Sequence, residues 1–463
     1  MAHLFVELVI AINKCHNEAV KAIDLKDIFE NGKDENVQAY LNFLDHLEIV
    51  DLLYILDEDY YPKTIEKLDN EMLAEILPLL ESGLLDSICD AMSQVRLINV
   101  IDLLETDDAA HIIRELDDLG FTHLLDQIAK KRQVEKILSY PKDSAGSIMQ
   151  LELCLLREGI TAKEAVESIR SQKKLLGDVN AAYVVDEDKK LVGIVKLDDL
   201  ILSSMSDSIS LISTPLKYYV NPEEDQEEVA QVCAKYDLHY IPVVDSEGIL
   251  LGQITFDDIQ DVIEEEASED LLAYVGVSAE ESIGNVNQVS FKLALGRFPW
   301  LIFSICASFV TGYILTFFES HTANAIIFAS FVPLIMNTTG NVGTQTAMII
   351  TRSFALGANE FGEFRLPLMR EVSVGLFMGL MAGALTYVLI LLVHGNSMVA
   401  LRVSVTLITS MSTAALFGML IPIGFKKLGV DPAIASGPLV TSFCDMLSVS
   451  MYLGTIIFFG KIL

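Results

Sequence analysis

Five long apolar segments occupy the last part of this 463-residue chain and constrain its fold more than any other feature. Each is long enough to cross a lipid bilayer, which takes roughly 20 residues of helix. The segments run approximately over Trp300 to Phe318, Ala325 to Ile350, Val372 to Val393, Val403 to Phe425 and Ala433 to Phe459. We therefore expect residues 299–463 to form an α-helical transmembrane domain with five spans.

The charged residues are divided unevenly between this region and the rest of the chain. The chain holds 65 acidic and 32 basic residues, but only six acids and seven bases lie from Pro299 onward. The other 59 acids and 25 bases give residues 1–298 a formal charge of −34. Residues 1–298 therefore form a strongly acidic portion outside the lipid, for which we expect no nucleic-acid partner.

The basic residues between the apolar segments predict the orientation in a cell membrane. Arg352, Arg365 and Arg370 follow the second segment, and Lys426 and Lys427 follow the fourth. Loops rich in lysine and arginine stay on the cytoplasmic side. The N-terminus is then cytoplasmic, and five spans leave the C-terminus on the opposite side.

An internal repeat organises the middle of the acidic portion. Residues 184–200 read VVDEDKKLVGIVKLDDL and residues 243–259 read VVDSEGILLGQITFDDI, in gapless register. Each copy is a strand, an acidic turn, a second strand with a glycine and the start of a helix, and an amphipathic helix precedes each copy. We expect two related α/β modules, at residues 141–203 and 204–265.

Residues 1–140 have helical spacing of leucine and isoleucine and many acids. Short helix pairs stacked into a superhelix account for this pattern, and Asp107 and Asp108 then cap a helix start. The acids become denser later: Glu223 to Glu281 holds eighteen acids and one base, Lys235. Such a block repels itself when compact unless hard divalent cations bind its oxygen atoms. A helix connecting this block to the membrane is expected from about Ser278 to Arg297.

Polar residues inside two apolar segments indicate a cation pathway. The second segment contains PLIMNTTGNVGTQTAM, whose amides, hydroxyls and glycines are costly in lipid unless they line a cavity or pack on protein. Close packing of small residues is an alternative interpretation. The fifth segment carries Asp445 near its middle, preceded by Gly437 and Thr441. A carboxylate at that depth is a functional-site candidate, although a protonated, purely structural aspartate is a second interpretation.

Taken together, these motifs resemble the MgtE family of magnesium channels and transporters, and the two modules resemble a CBS pair. The resemblance rests on DQEEVA at 225–230, EEEASEDL at 264–271, GNVGTQ at 340–345 and GVDPAIASGP at 429–438 followed by Asp445. It implies a homodimer with a pore at the subunit interface, where two copies of Asp445 select hydrated Mg2+. It further implies that cytosolic Mg2+, bound by the N-terminal and CBS domains, closes the pore through a plug helix at 266–298.

The resemblance also assigns residues to the sites. It implies that the pore is lined by Asp445, Asn341, Gly437, Thr441 and Thr344. It implies metal ligands at Asp445, Asp431, Asp225, Glu227, Asp237, Asp258, Asp261, Glu266, Glu269, Asp270 and Asp107. Thr255 and Asp258 stand where CBS modules contact a nucleotide, so the resemblance implies ATP as a regulatory ligand. Because the first copy has Lys196 in place of the threonine, we expect at most one cleft to bind it. Other departures are His111 in place of an acid, Thr339 before Gly340, and Cys444 before Asp445.

Other classes of protein fit the sequence less well. A secondary divalent-cation transporter with nucleotide regulation is the alternative, but it should show inverted repeats. An intramembrane aspartyl protease needs two facing aspartates, and Asp431 lies about four helical turns from Asp445. The chain has no phosphate-binding loop of the GxxxxGK[ST] type. We therefore expect a transport protein, not an enzyme, with membrane lipid, Mg2+ and a second copy of the chain as partners.

Overall fold

The computed structural model describes residues 34–117, 124–176, 179, 181–277, 290–319, 325–355, 365–434 and 437–462. The chain divides into two compact units, and the boundary falls between Val262 and Ile263. Residues 1–33 of the predicted N-terminal domain and residues 278–289 of the predicted connecting helix lie outside the described residues.

The first unit begins with short helices, as the sequence predicts. They are α1 (Asp34–Leu41), α2 (His46–Ile55), α3 (Tyr61–Lys67), α4 (Asn70–Ile76), α5 (Ser82–Asp90), α6 (Gln94–Ile101), α7 (Thr106–Asp117) and α8 (Lys131–Leu138). Their apolar side chains share one hydrophobic core from Val37 to Ile137. The predicted α-helical N-terminal domain is therefore confirmed.

Local polar contacts fix where these helices begin and end. Asp45 forms a capping box with Glu48 at the start of α2, and the Asp69 carboxylate accepts a hydrogen bond from the Met72 N–H at the start of α4. Such caps satisfy backbone N–H groups that have no partner within the helix. At the end of α3, Arg96 donates to the carbonyl of Ile65.

The rest of the first unit consists of two α/β modules that follow the repeat. Their elements are β1 (Leu155–Arg157), α9 (Ala162–Leu176), β2 (Ala181–Val185), β3 (Leu191–Lys196), α10 (Leu197–Leu202), α11 (Ile209–Ile212), α12 (Gln226–Tyr236), β4 (Tyr240–Val244), β5 (Leu250–Thr255) and α13 (Phe256–Val275). In the first module β2 pairs in parallel with β1 and antiparallel with β3, and in the second β4 and β5 are antiparallel.

The glycine that recurs in both copies of the repeat has a structural reason. A Cβ atom on Gly193 would lie 3.0 Å from the carbonyl oxygen of Thr214, and one on Gly252 would lie 2.8 Å from that of Gln150. In each module a chain segment bridges to the residue just after this glycine, Ile194 or Gln253. A side chain at either glycine would obstruct that segment.

The second unit contains the end of α13 and the membrane region. Its further helices are α14 (Ser290–Glu319), α15 (Ala325–Ala329), α16 (Val332–Ala355), α17 (Arg365–His394), α18 (Ser397–Lys427) and α19 (Gly437–Ile462). Within the described residues, four of them (α14, α17, α18 and α19) are long and apolar enough to cross a membrane. The chain is therefore a multi-pass membrane protein.

The predicted second span differs from the expectation of one apolar helix from Ala325 to Ile350. The structure places two helices there, α15 and α16, and α16 begins one residue before Pro333. Proline has no N–H and is tolerated in the first turn of a helix. At 24 residues α16 is long enough to span a bilayer. Its amides and hydroxyls make it more polar than the four helices that are apolar enough to cross a membrane.

Glycines bring the membrane helices close together. On α17, a Cβ atom at Gly379 would lie 2.7 Å from the Cα of Ile408 on α18, so the two backbones are in direct contact. A Cβ atom at Gly418 of α18 would collide with the carbonyl oxygen of Gly343 on α16. Small residues at helix contacts are typical of membrane proteins, where backbones must approach closely.

Candidate cation pathway and regulatory sites

The carboxyl group of Asp445 lies where α19 contacts α16. A Cβ atom on Gly340 of α16 would come within 3.5 Å of Asp445 Oδ1 and 3.1 Å of the methyl group of Thr441. The Oδ1 atom is buried and has no hydrogen-bond partner among the described residues. Buried carboxylate oxygens without a partner are rare because their desolvation is uncompensated. The arrangement can therefore attract a cation.

Three amide side chains of α16 form a stripe along its exposed side. Asn337, Asn341 and Gln345 are four residues apart and exposed. The opposite side, including Val342 and Thr346, is buried against the neighbouring helices. A stripe of amides is costly if it faces lipid. It therefore requires water or further protein on that side.

The other predicted pore residues lie on the same two helices, α16 and α19. Thr344 is partly buried, and its hydroxyl donates to the carbonyl oxygen of Gly340 at 3.1 Å. Gly437 is the first residue of α19 and lies next to Tyr274, whose carbonyl oxygen is 3.4 Å from the position of an added Cβ atom. The five predicted pore residues thus lie on α16 and α19, and Asp445 and Thr441 both contact Gly340.

The last turns of α13 contact the membrane helices within the second unit. The Tyr274 hydroxyl donates a hydrogen bond to the carbonyl oxygen of Thr344. Two residues later, Gly276 lies against the indole of Trp300, which would be 2.9 Å from an added Cβ atom. The end of α13 is therefore in contact with the helix that carries the polar stripe.

Two of the predicted metal ligands lie close together beside this contact. Burial first, and then the carboxylates of Asp431 and Glu269, raise the pKa of the Asp270 carboxyl to about 6. Asp431 is exposed, and its carboxylate accepts a hydrogen bond from the N–H of Ala433 at 2.8 Å. Bringing Asp270 and Asp431 together therefore costs free energy that a proton or a cation would offset.

A second group of acids lies within the first unit, between the N-terminal helices and the second α/β module. Asp107 is only 7% exposed, and its Oδ1 atom has no hydrogen-bond partner within the described part of the chain. Burial raises its pKa well above the ordinary range, with further contributions from Asp258 and Asp108. His111, which stands where the family has an acid, is exposed on α7.

The pKa values of the acids next to Asp107 are raised as well. Burial, together with smaller effects of neighbouring carboxylates, raises the pKa of Glu105 and of Asp258 to about 7, and that of Asp108 to about 6. For Asp258, hydrogen bonds from Thr255 act in the opposite direction. We call Glu105, Asp107, Asp108 and Asp258 the interdomain acids. Because like charges raise each other's pKa, these side chains resist being ionised together.

The remaining predicted metal ligands are more dispersed. Asp225 caps α12 by accepting from the Glu227 N–H at 2.8 Å, and Asp237 ends the same helix in the left-handed conformation. On α13, Asp261 and Glu269 are exposed and Glu266 is partly buried. Within the described residues, no three His, Cys, Asp or Glu side chains are grouped closely enough to hold a metal ion. The predicted ligand set is therefore not assembled into one site here.

A cavity of about 550 Å³ lies between the two α/β modules. Its wall includes Thr255, one of the two predicted nucleotide contacts, together with Lys196 of the first module. The other predicted contact, Asp258, accepts a hydrogen bond from the Thr255 hydroxyl at 2.6 Å and is absent from the lining residues. The volume is within the usual range of small-molecule sites, roughly 300–1,000 Å³.

Sequence reasoning missed three residues that the structure places at these sites. Tyr274 reaches α16 through a contact 70 residues apart in sequence. Glu152 accepts a hydrogen bond from the Thr106 hydroxyl at 2.7 Å, and Glu105 belongs to the interdomain acids. Only Glu105 had a local signal, since it lies two residues before Asp107 at a helix start.

Comparisons with known proteins agree with this architecture. A family model described as a divalent cation transporter matches residues 332–455, the MgtE intracellular N domain matches 44–143, and the CBS domain matches 145–206 and 209–265. The magnesium transporter MgtE of Thermus thermophilus is 34% identical over 75% of this chain and 77% of its own length. The chain belongs to the MgtE family.

Other members are similar over comparable lengths. The magnesium transporter MgtE of Bacillus subtilis is 28% identical over 91% of this chain and 94% of its own length. A solved cytosolic domain of the Mg2+ channel MgtE in complex with ATP is 30% identical, covers 52% of this chain and 99% of that structure, and has a TM-score of 0.49. The two relatives are magnesium transporters, and the family models match the N-terminal, CBS and membrane regions of this chain.

Proposed function

We propose that this MgtE protein is a channel that admits Mg2+ to the cytosol down its electrochemical gradient. The observation that carries the proposal is the buried Oδ1 atom of Asp445, which has no hydrogen-bond partner in the described residues and lies beside the polar helix α16. Mg2+ sheds its water reluctantly, so a carboxylate that attracts the hydrated ion suits it. A divalent ion gains about 4.6 kcal/mol per 100 mV of inside-negative potential.

The channel works as a homodimer with the pore between two copies. The exposed amides of α16, Asn337, Asn341 and Gln345, support this arrangement, because a second copy and a water-filled pore would keep them out of lipid. Lys426 and Lys427 at the end of α18 support a cytoplasmic N-terminus and an outward C-terminus. A second carboxylate from the partner would double the charge of the pore.

Cytosolic Mg2+ closes this channel. Two groups of acids support such regulation: the interdomain acids, and Asp270 beside Asp431. Each group is costly to hold ionised and close together, and Mg2+ between the carboxylates would offset that cost. In the second group Asp270 of α13 lies beside Asp431, in the segment between α18 and α19, so Mg2+ bound there favours the contact of Tyr274 with α16. ATP in the cavity at Thr255 adjusts this response.

The pore assignment is tested by Mg2+ flux into proteoliposomes under an imposed inside-negative potential, read with a trapped Mg2+-sensitive dye. Asp445→Asn should reduce the flux at least about tenfold, because it removes the charge that attracts the ion. The matched control is Glu371→Gln, the same change at another buried acid, on α17. It should leave the flux near that of the unchanged protein.

Two outcomes would oppose the proposal. Full flux through a correctly assembled Asp445→Asn dimer would exclude Asp445 as the pore carboxylate. Flux that ignores the potential and needs a gradient of another ion would favour the secondary transporter instead.

A further inference from the structure

The cavity between the two α/β modules has acids at equivalent positions of the repeat. Asp198 and Asp257 both line it, and each lies in the first turn of the helix that follows the second strand of its module, α10 or α13. The repeat therefore places a carboxylate on each side of the same space. A third carboxylate, Glu152, lies in the wall as well.

Positive charge on the wall does not balance these acids. Lys196 is the only lysine or arginine among the lining residues that the structure describes. A second lysine, Lys130, lies outside the wall with its Nζ atom 3.5 Å from Glu152 Oε1, so it offsets that carboxylate. Of the charged side chains in the wall, Asp198 and Asp257 are then balanced by Lys196 alone, which leaves a net negative charge.

The acids behind the wall strengthen the negative potential. Burial is the largest cause of the raised pKa of Glu105 and of Asp258, and the charge of Asp257 contributes to both. On the other side, Asp198 and Asp199 raise the pKa of Tyr240, after the larger effect of burial. A ligand in the cavity is thus exposed to the carboxylates of both modules.

Aromatic side chains form an uncharged part of the cavity wall. Tyr240, Phe256 and His239 all line the cavity, and the rings of His239 and Phe256 meet edge to face with centroids 5.9 Å apart. Flat aromatic faces of this kind bind planar heterocycles such as nucleobases. The cavity therefore combines a base-binding surface with a negatively charged wall.

We propose that this cavity binds adenine nucleosides and monophosphates as free ligands, and accepts a nucleoside triphosphate only as its complex with a divalent cation. The proposal rests on the proposed regulation by an adenine nucleotide and defines its charge state. Free triphosphate carries several negative charges that Asp198 and Asp257 repel, whereas Lys196 can offset the charge of one phosphate group.

The divalent cation must arrive with the phosphate groups. Among the described residues no three carboxylate, histidine or cysteine side chains are grouped to hold a metal ion, and this includes the cavity wall. Mg2+ is usually bound through one or two carboxylates together with substrate phosphates. A nucleotide-bound cation could use Asp198 or Asp257 in this way and turn the repulsion into attraction.

Binding of adenosine, AMP, ADP and ATP to the full-length protein in detergent tests the proposal by calorimetry. In EDTA the affinity should fall at least about tenfold from AMP to ATP. Exchange-inert Cr(III)–ATP, which carries a cation on its phosphates without releasing it, should bind about as tightly as AMP. Its use avoids free Mg2+, which would act on the acidic groups elsewhere in the protein.

Single substitutions separate charge from shape. Asp198→Asn should raise the affinity for ATP in EDTA several-fold and leave the affinity for adenosine unchanged. Lys196→Gln should lower the affinity for AMP and leave the affinity for adenosine unchanged. Asp188→Asn is the matched control, since Asp188 is an exposed acid of the same module and does not line the cavity. It should change none of these affinities.

The outcomes distinguish the two levels of the proposal. ATP that binds in EDTA as tightly as AMP would overturn the charge rule while preserving regulation by nucleotides. Failure of all four ligands and of Cr(III)–ATP to bind would overturn nucleotide regulation itself. Neither result would affect the assignment of Asp445 to the pore.

Discussion

Asp107 is a carboxylic acid at a position where little water reaches it and other acids surround it. Its burial and the charges of Asp258 and Asp108 favour the protonated form. A group whose pKa is raised on folding stabilises the folded state below its unfolded pKa and loses that contribution as the pH rises through the folded value. With Glu105 and Asp258 near 7 and Asp108 near 6, this contribution disappears between about pH 4 and pH 8.

Neutralising Asp107 should therefore stabilise the cytosolic part when no divalent cation is present. We expect Asp107→Asn to add about 1–3 kcal/mol at pH 8 in EDTA, and clearly less at pH 5, where the carboxyl is already protonated. The midpoint of thermal unfolding of the full-length protein measures this. Asp51→Asn, an exposed acid on α2, is the control. A lower midpoint for Asp107→Asn at pH 8 would show that the ionised carboxylate is compensated by a partner.

At the scale of single elements, α17 and α18 show how a glycine determines helix packing. The backbones meet at Gly379, with no room for a side chain beside Ile408. Overpacked contacts typically cost 1–3 kcal/mol because side chains or backbone must move.

Gly379→Ala should therefore lower the thermal stability of the detergent-solubilised protein, by about 1–3 kcal/mol. Gly454→Ala on α19 is the matched control, because an added Cβ atom there meets no atom within 4 Å. Alanine favours helix over glycine, so the control should be neutral or slightly stabilising. Equal melting of both variants would mean that α17 and α18 can separate at no cost.

The elements differ in how well the sequence predicts them. The two α/β modules are predictable because the repeat recurs in gapless register and both copies build the same strand pair. The break between α15 and α16 is not predictable from the sequence. The turn before Pro333 is as apolar as the helices on either side, so hydropathy predicts a single helix there. Asp445 stands out alone in its segment, whereas the Tyr274 contact depends on packing between distant segments.

On the scale of the whole molecule, α13 is the helix in which the boundary between the two units falls. It starts in the first unit, ends in the second, and its Tyr274 hydroxyl binds the carbonyl oxygen of Thr344. If this contact belongs to the closed state, the hydrogen bond stabilises closure by about 0.5–1.5 kcal/mol.

Tyr274→Phe should then raise the Mg2+ concentration that half-inhibits flux by about 2- to 10-fold, while the ring beside Gly437 is kept. Flux measured at several internal Mg2+ concentrations gives this shift. Tyr313→Phe, at an exposed tyrosine of α14, is the control and should change nothing. An unchanged half-inhibiting concentration in Tyr274→Phe would mean that the hydrogen bond is equally present in the open state.

The close approach of Gly418 to Gly343 has a consequence for how selectivity and opening are related. The polar helix α16 is held on one side by α18, through these two glycines, and on another by Thr441 and Asp445 of α19. A helix fixed at the backbone level cannot turn without opening both contacts. If α16 lines the pore as proposed, we expect the ion-recognising part of the pore to keep these contacts while other helices move. Ion preference should consequently be the same in a fully open channel and in one that Mg2+ has nearly shut.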